Sequence, residues 1–218
     1  MSENWVFYYD FNKCIGCHSC AVSCKNYHNR DPGVSQRERE MADWRNVNHF
    51  ESGEGDAFEE IPVSTSCMHC HDAPCVDVCP VDIIEIREED GIVTHDRPDC
   101  IRCQQCLGAC PYDAPTFSEA EDGRMSKCNM CLGQGTGSAH GQDKREQPED
   151  GGVTPSCVDN CVGEAIKAGP EEEMLELASD EAVERFENGA HNQRVIVEPM
   201  RRGSEDVGSL VDRVGEGN

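Results

Sequence analysis

Cys14-Ile-Gly-Cys-His-Ser-Cys-Ala-Val-Ser-Cys24, CIGCHSCAVSC, places four thiols in one short stretch near the start of the chain. Its spacing, C-x2-C-x2-C-x3-C, returns at Cys100, Cys103, Cys106 and Cys110, followed by Pro111. Cys67, Cys70, Cys75 and Cys79 form a variant with an x4 gap, followed by Pro80. Cys128 and Cys131 open a fourth set that Cys157 and Cys161 close with the same x3 gap. Together these account for all 16 cysteines of the 218 residues.

Thiols in such number can serve disulfides, zinc or iron–sulfur clusters. Disulfide frameworks belong to short secreted chains. This chain is not short, and its first ten residues, MSENWVFYYD, carry neither the basic region nor the apolar run of a secretory signal. No apolar run approaches the length that crosses a bilayer. Structural zinc takes two separated cysteine pairs around a tetrahedral ion, a pattern that only the fourth set could satisfy. Three thiols at successive x2 gaps wrap one side of something larger. That is the bacterial ferredoxin run, in which three thiolates hold one 4Fe–4S cubane and the fourth ligates a neighbouring cluster.

Ligand sharing follows from this rule. The second and third motifs are adjacent and both end in Cys-Pro, so they pair: Cys67, Cys70, Cys75 and Cys110 hold one cubane, and Cys100, Cys103, Cys106 and Cys79 hold another. The first and fourth motifs then pair with each other. Cys14, Cys17, Cys20 and Cys161 hold one cluster; Cys128, Cys131, Cys157 and Cys24 hold the last. Every cysteine is used once. The expected fold is α+β, two interleaved bacterial-ferredoxin-like units of short strands, short helices and long loops, each holding two 4Fe–4S clusters. Residues 1–60 with 119–199 form the outer unit and 61–118 the inner one. A surface insertion is expected over 133–155 and a flexible tail over 200–218.

Between the motifs, 5–10 reads as a strand leading into the first cluster loop. Residues 83–87 and 92–95 flank Asp90-Gly91 and read as a hairpin. Helices are expected to begin near Cys20 and Cys106. Met174, Leu175, Ala178, Ala182, Val183 and Phe186 line one face of a helix predicted over 171–188, and 194–197 reads as an edge strand.

These motifs carry a family resemblance. CIGCHSCAVSCK, VSTSCMHCHDAPCVDVCPVDII, CIRCQQCLGACPYDAP and MSKCNMC, with the Trp44-Arg45 pair, resemble the four-cluster ferredoxin-like electron-transfer (B) subunit of molybdopterin oxidoreductases. The dimethyl sulfoxide reductase subunit is the nearest likeness, and the resemblance spans roughly residues 5 to 170. It implies four 4Fe–4S clusters, a molybdopterin catalytic partner and a quinol-oxidising membrane anchor, with no catalytic residue on this chain. It also implies the same ligand sharing. Some family members replace the second cysteine of the third motif and carry a three-iron cluster; this chain keeps Cys103. Without a signal of its own, the chain is expected in the cytoplasm or carried out folded with a twin-arginine partner. The alternatives are a free polyferredoxin, a polysulfide or thiosulfate reductase subunit, a formate dehydrogenase or hydrogenase subunit, and a zinc-scaffold interaction protein.

Several polar residues near the thiols read as surface. His18, His69 and His71 read as partly exposed loop residues, with His69 the best candidate for a bond to a cluster. Lys25 and Lys127 read as solvated charges. Trp5, Phe7, Tyr8 and Tyr9 read as packing.

Composition adds a second constraint. Leu, Ile, Val and Phe make up 38 residues, about 17%, and the formal net charge is -24. Without bound metal this would be a composition of disorder. Metal binding can supply the missing folding free energy, because the sites do not exist in the unfolded chain. Acidic residues number 43 against 19 basic ones, only five of them lysine. Such a polyanion repels nucleic acid and anionic lipid, and its self-repulsion is longest in range at low ionic strength. The reading is a salt-adapted host, a halophilic archaeon. The loaded protein is therefore expected to keep its circular dichroism and visible absorption in molar KCl and to lose both on dialysis into dilute buffer. Equal stability in the two would contradict salt adaptation.

Overall fold

The computed structural model describes residues 4–28, 43–52, 58–118, 122–132, 154–188 and 193–199. All sixteen cysteines lie among them, whereas most of the 133–155 insertion and all of the 200–218 tail lie outside the described residues. Helix and strand alternate in short pieces, so the class is α+β.

Strand β1 (Trp5–Asp10) is the centre of a three-stranded sheet. It pairs antiparallel with β8 (Ile166–Pro170), Tyr9 facing Ile166, and parallel with β9 (Val195–Glu198), Phe7 facing Val195. Side chains on a strand alternate between faces, and here both faces are covered. Val6 and Tyr8 pack with Ile196 against Met174 and Ala182 of the C-terminal helices. Phe7 and Tyr9 point the other way, into a core shared with Cys20, Cys24, Cys67, Cys128 and Cys157. One short strand thus ties an ordinary apolar layer to a layer built of thiols.

Three hairpins surround this sheet. The longest joins β2 (Arg45–Ser52) to β3 (Glu59–Ser66), with Arg45 opposite Ser66 and Phe50 opposite Ile61. The second joins β4 (Ile84–Ile86) to β5 (Val93–His95), with Ile84 opposite His95. It turns through Asp90, whose carboxylate accepts from the Ile92 N–H at 3.0 Å, and Gly91, at φ +69. The third is the two-residue pair β6 (Thr116–Phe117) and β7 (Met125–Ser126).

Helices begin one residue before the third cysteine of each set. Helix α1 (Ser19–Tyr27) starts one residue before Cys20, and α3 (Gln105–Ala109) one residue before Cys106. The single-turn helices α2 (Pro74–Asp77) and α4 (Ser156–Asp159) carry Cys75 and Cys157. Helix α1 is fastened to α4 by a reciprocal pair: the Ser23 hydroxyl donates to the Ser156 carbonyl at 3.1 Å, and the Ser156 hydroxyl to the Ser23 carbonyl at 3.3 Å.

One expectation needs correction. The amphipathic stretch 171–188 is two helices, α5 (Glu171–Leu175) and α6 (Asp180–Glu187). Ser179 divides them: it takes an extended conformation and its hydroxyl accepts from the Ala182 N–H, a standard N-cap. The apolar face continues across the break, because Met174 and Ala182 reach the same core. The predicted strand over 5–10 and the hairpin about Asp90-Gly91 are present, and the last strand runs from Val195 to Glu198 at the sheet edge.

Gly91 has a steric as well as a conformational reason to be glycine. A Cβ there would stand 2.3 Å from Cζ of the buried Arg194 guanidinium. Gly91→Ala is therefore expected to cost about 1–2 kcal/mol from the left-handed backbone alone, with further loss from displacing Arg194. It should lower the temperature at which cluster absorption is lost; an unchanged transition would contradict this.

Candidate iron–sulfur centre

The first thing the loops share is a repeated backbone turn. In each opening Cys-x-x-Cys, the residue before the second cysteine has positive φ: Gly16 at 67, His69 at 47, Arg102 at 62 and Met130 at 52. Only Gly16 is a residue for which this costs nothing. His18 and Gln104, just after Cys17 and Cys103, repeat it at φ 60 and 61 before the helices begin. A second turn follows the closing cysteines. The Asp82, Asp113 and Glu164 N–H groups donate back to the carbonyls of Cys79, Cys110 and Cys161, and all three residues have positive φ. Strained turns recurring at equivalent places in unrelated stretches indicate one kind of object being wrapped four times.

The turns aim N–H groups at sulfur. Arg102 and Met125 donate to Cys100 Sγ, each at 3.4 Å; Ser156 donates to Cys131 Sγ at 3.4 Å and Ala165 to Cys161 Sγ at 3.2 Å. Hydrogen bonds of this kind stabilise thiolate and raise the potential of a cluster it holds. Some of the bonds fall on motif members far apart in sequence, which fixes one loop against the next.

All sixteen cysteines are free thiols. Among the described residues no three Cys, His, Asp or Glu side chains converge closely enough to hold a single metal ion. Instead the thiols stand around wider spaces. Cys79, Cys100, Cys103 and Cys106 line one pocket, whose remaining wall includes Ile83, Ile84, Phe117 and Met125. Cys17 and Cys161 line an open groove between α1 and α4. Cys14 and Cys20 are both close enough to Tyr9 to act on its hydroxyl.

Mutual repulsion among the thiols shows which are neighbours. Burial, then Cys67, Cys110 and Cys75, push the Cys70 thiol up to about 12. Burial, then Cys128, Cys157 and Cys131, push Cys24 well above the ordinary range. Cys106 is pushed up to about 12 by burial, then by Cys75, Cys100 and Cys103. On the ligand sharing expected from the sequence, three such repulsions act between sets: Cys157 on Cys20, Cys67 on Cys128, and Cys75 on Cys106. Thiols this hard to ionise are protonated at neutral pH when empty. Metal must displace those protons, so cluster loading releases acid and is favoured by rising pH. The donor set, soft and buried, suits iron–sulfur clusters.

Two cations lie among the thiols. Arg45 is buried where β2 meets β3, its Nη1 donating to Ser64 Oγ at 3.1 Å and its Nη2 to Ser66 Oγ at 2.9 Å. Burial pushes its guanidinium towards neutrality, but Cys157, Cys128, Cys20 and Cys24, once ionised as they are when they bind metal, outweigh this and hold it charged. Lys127 is wholly buried and donates to the carbonyls of Val93 and Cys128. Burial and then Cys67 push the Cys75 thiol up to about 11, and the Lys127 charge works against them.

Placement of the polar candidates corrects the surface reading for two of them. Lys127 and His69 are both fully buried. His69 accepts from the Val93 N–H at Nδ1 and is held well below its ordinary value by burial, then by the charges of Lys127, Arg194 and Arg45, so the ring is neutral. His18 and His71 are exposed, as expected; His18 bonds His49 at 3.0 Å and His71 bonds Asp72 at 3.2 Å. Lys25 pairs with Asp43 at 2.6 Å. Tyr9 donates to the Pro62 carbonyl at 2.9 Å and accepts from the Ser64 N–H, so it pins β3 over the first cluster loop. In the sequence, Arg45 stands out only as half of a Trp-Arg pair. Its burial depends on residues 19 and 21 positions downstream and on thiols from the first and fourth motifs, which no local pattern encodes.

Known proteins match this arrangement. Residues 59–171 and 10–83 each match a 4Fe–4S dicluster domain family. The formate dehydrogenase iron–sulfur subunit of Wolinella succinogenes is 36% identical over 191 residues, covering 82% of this chain and 88% of that protein. A polypeptide of the anaerobic dimethyl sulfoxide reductase of Escherichia coli is 34% identical over 183 residues, covering 83% and 80%. A Halobacterium salinarum protein named for a dimethyl sulfoxide reductase iron–sulfur subunit is 32% identical over 183 residues, covering 74% and 64%. With thiols that suit the group and two matching dicluster families, the chain belongs to the 4Fe–4S dicluster family, among the electron-transfer (B) subunits of molybdopterin oxidoreductases, with four 4Fe–4S clusters as its cofactors.

Proposed function

We propose that the chain is the electron wire of a membrane-associated molybdopterin oxidoreductase of the dimethyl sulfoxide reductase type. It carries electrons one at a time between a quinol-oxidising membrane anchor and a molybdopterin catalytic subunit. The observation that carries this reading is the gathering of thiols into two buried layers, Cys20, Cys24, Cys67, Cys128 and Cys157 in one and Cys70, Cys75 and Cys106 in the other. Electrostatic coupling runs from set to set between Cys20 and Cys157, Cys128 and Cys67, and Cys75 and Cys106. With the ligand sets Cys14, Cys17, Cys20, Cys161; Cys24, Cys128, Cys131, Cys157; Cys67, Cys70, Cys75, Cys110; and Cys79, Cys100, Cys103, Cys106, those couplings order the clusters in one line. Each of the two interleaved units, 61–118 and the flanking 1–60 with 119–199, then holds two clusters.

The ends of that line are the accessible ones. Cys17 and Cys103 are exposed, whereas Cys67, Cys70, Cys75, Cys128 and Cys131 are buried. Exposed apolar side chains gather at the same ends, Ile15, Val22 and Val162 near Cys17, and Val81 and Ile101 near Cys103. Apolar surface beside an accessible redox centre suits a docking face for a partner subunit. One end meets the anchor and the other the catalytic subunit. Among the described residues no helix is long and apolar enough to cross a membrane. Contact with the membrane is thus assigned to the anchor, and passage to the outer face to a twin-arginine signal on the catalytic partner.

A second reading, the corresponding subunit of a formate dehydrogenase, draws on the Wolinella relative. Anaerobic purification of the native complex separates the two by whether it reduces dimethyl sulfoxide or oxidises formate. Molybdenum at about one per chain is expected to co-purify; a four-cluster chain without molybdenum would instead be a free polyferredoxin. Ligand sharing has its own test. Cys67→Ser and Cys110→Ser are expected to alter the same electron paramagnetic resonance signal, and Cys100→Ser a different one. Different signals for Cys67 and Cys110 would contradict the sharing.

A further inference from the structure

We infer that Arg45 is the internal counter-charge of the two clusters held by the first and fourth motifs, a positioning and potential-setting residue that keeps the two in balance. The inference rests on the cluster assignment above. Its guanidinium is bonded to Ser64 Oγ, which stands 3.5 Å from Cys20 Sγ, and lies on Phe7, which packs in the buried layer that holds Cys20 of one set and Cys24, Cys128 and Cys157 of the other. It is held from three sides, by Ser64 and Ser66 at its two terminal nitrogens and by the Phe7 ring, with Cζ 4.8 Å from the ring centroid. Among the described residues no carboxylate comes within ion-pair distance of it. A buried charge without a counter-ion costs several kcal/mol. Here the thiolates and the clusters they hold supply the negative charge, so the cation and the clusters stabilise each other.

The consequence is electronic. Each electron that enters a cluster adds a negative charge, and a fixed cation nearby favours that reduced form. A single cation placed between two clusters raises both potentials together and keeps the step between them shallow. Arginine suits the position better than lysine: its planar fork satisfies two hydroxyls at once while one face lies on an aromatic ring. Serines at 64 and 66 on β3, opposite Arg45 on β2, keep the fork in place without neutralising it.

The test uses the native complex with Arg45→Gln and Arg45→Lys, iron and sulfide counted on each, and a redox titration followed by electron paramagnetic resonance. In Arg45→Gln, two of the four midpoints are expected to fall by at least a tenfold change in the oxidised-to-reduced ratio, about 59 mV for one electron. The other two should move less, and Arg45→Lys should keep all four near their original values. Full loading of Arg45→Gln with all four midpoints unmoved would overturn the inference. If Arg45→Gln does not load, Arg45→Lys decides. Four clusters at near-native potentials support a role for charge, and failure to load overturns it in favour of shape. Iron and sulfide absent from the unsubstituted chain would instead overturn the cluster assignment itself.

Discussion

Everything in this fold depends on bringing thiols together inside a chain that has too little hydrocarbon to close a core. Cysteine is one of the few residues that can serve as both core and ligand. Of the two largest buried layers, one counts Cys20, Cys24, Cys67, Cys128 and Cys157 among its members, and the other Cys70, Cys75 and Cys106. Buried and empty, these thiols repel ionisation and one another. On the proposed ligand sharing, bound iron makes them anchors that tie residue 24 to residue 157 and residue 67 to residue 110. The folding free energy of the protein is then inseparable from the binding free energy of its clusters.

That arrangement concentrates negative charge, and the surface concentrates more. Beside the thiols the interior answers with Arg45 and Lys127, each held by uncharged oxygen atoms so that its charge stays available to the thiols. The exterior is left to the solvent. An acidic surface of this kind is tolerable where salt is abundant, and one relative comes from Halobacterium salinarum. Inside and outside therefore solve the same electrostatic problem by different means.

The site is legible in the sequence because cluster loops are local. The first and third sets draw three thiols from one short stretch, so C-x2-C-x2-C shows in the sequence, as do the helix starts at Ser19 and Gln105. Contacts made by the returning chain leave no such trace. Lys127 looks like any polar loop residue until β5 is folded against it, and His69 likewise until the Val93 N–H reaches its ring. The β2–β3 hairpin escapes a sequence reading because Arg45–Ser52 carries only two large apolar residues, Val47 and Phe50, too few for an alternating pattern. The break at Ser179 is hidden for the opposite reason: the apolar pattern runs on across it while one hydroxyl caps a new helix.

The central claim is that these sixteen thiols hold four cubanes. Its most direct test is to count iron, acid-labile sulfide and zinc on one anaerobic sample prepared from the host in high salt. The account predicts about sixteen iron and sixteen sulfide per chain with negligible zinc. Zinc in place of iron and sulfide would contradict it and leave a structural scaffold with no electrons to carry.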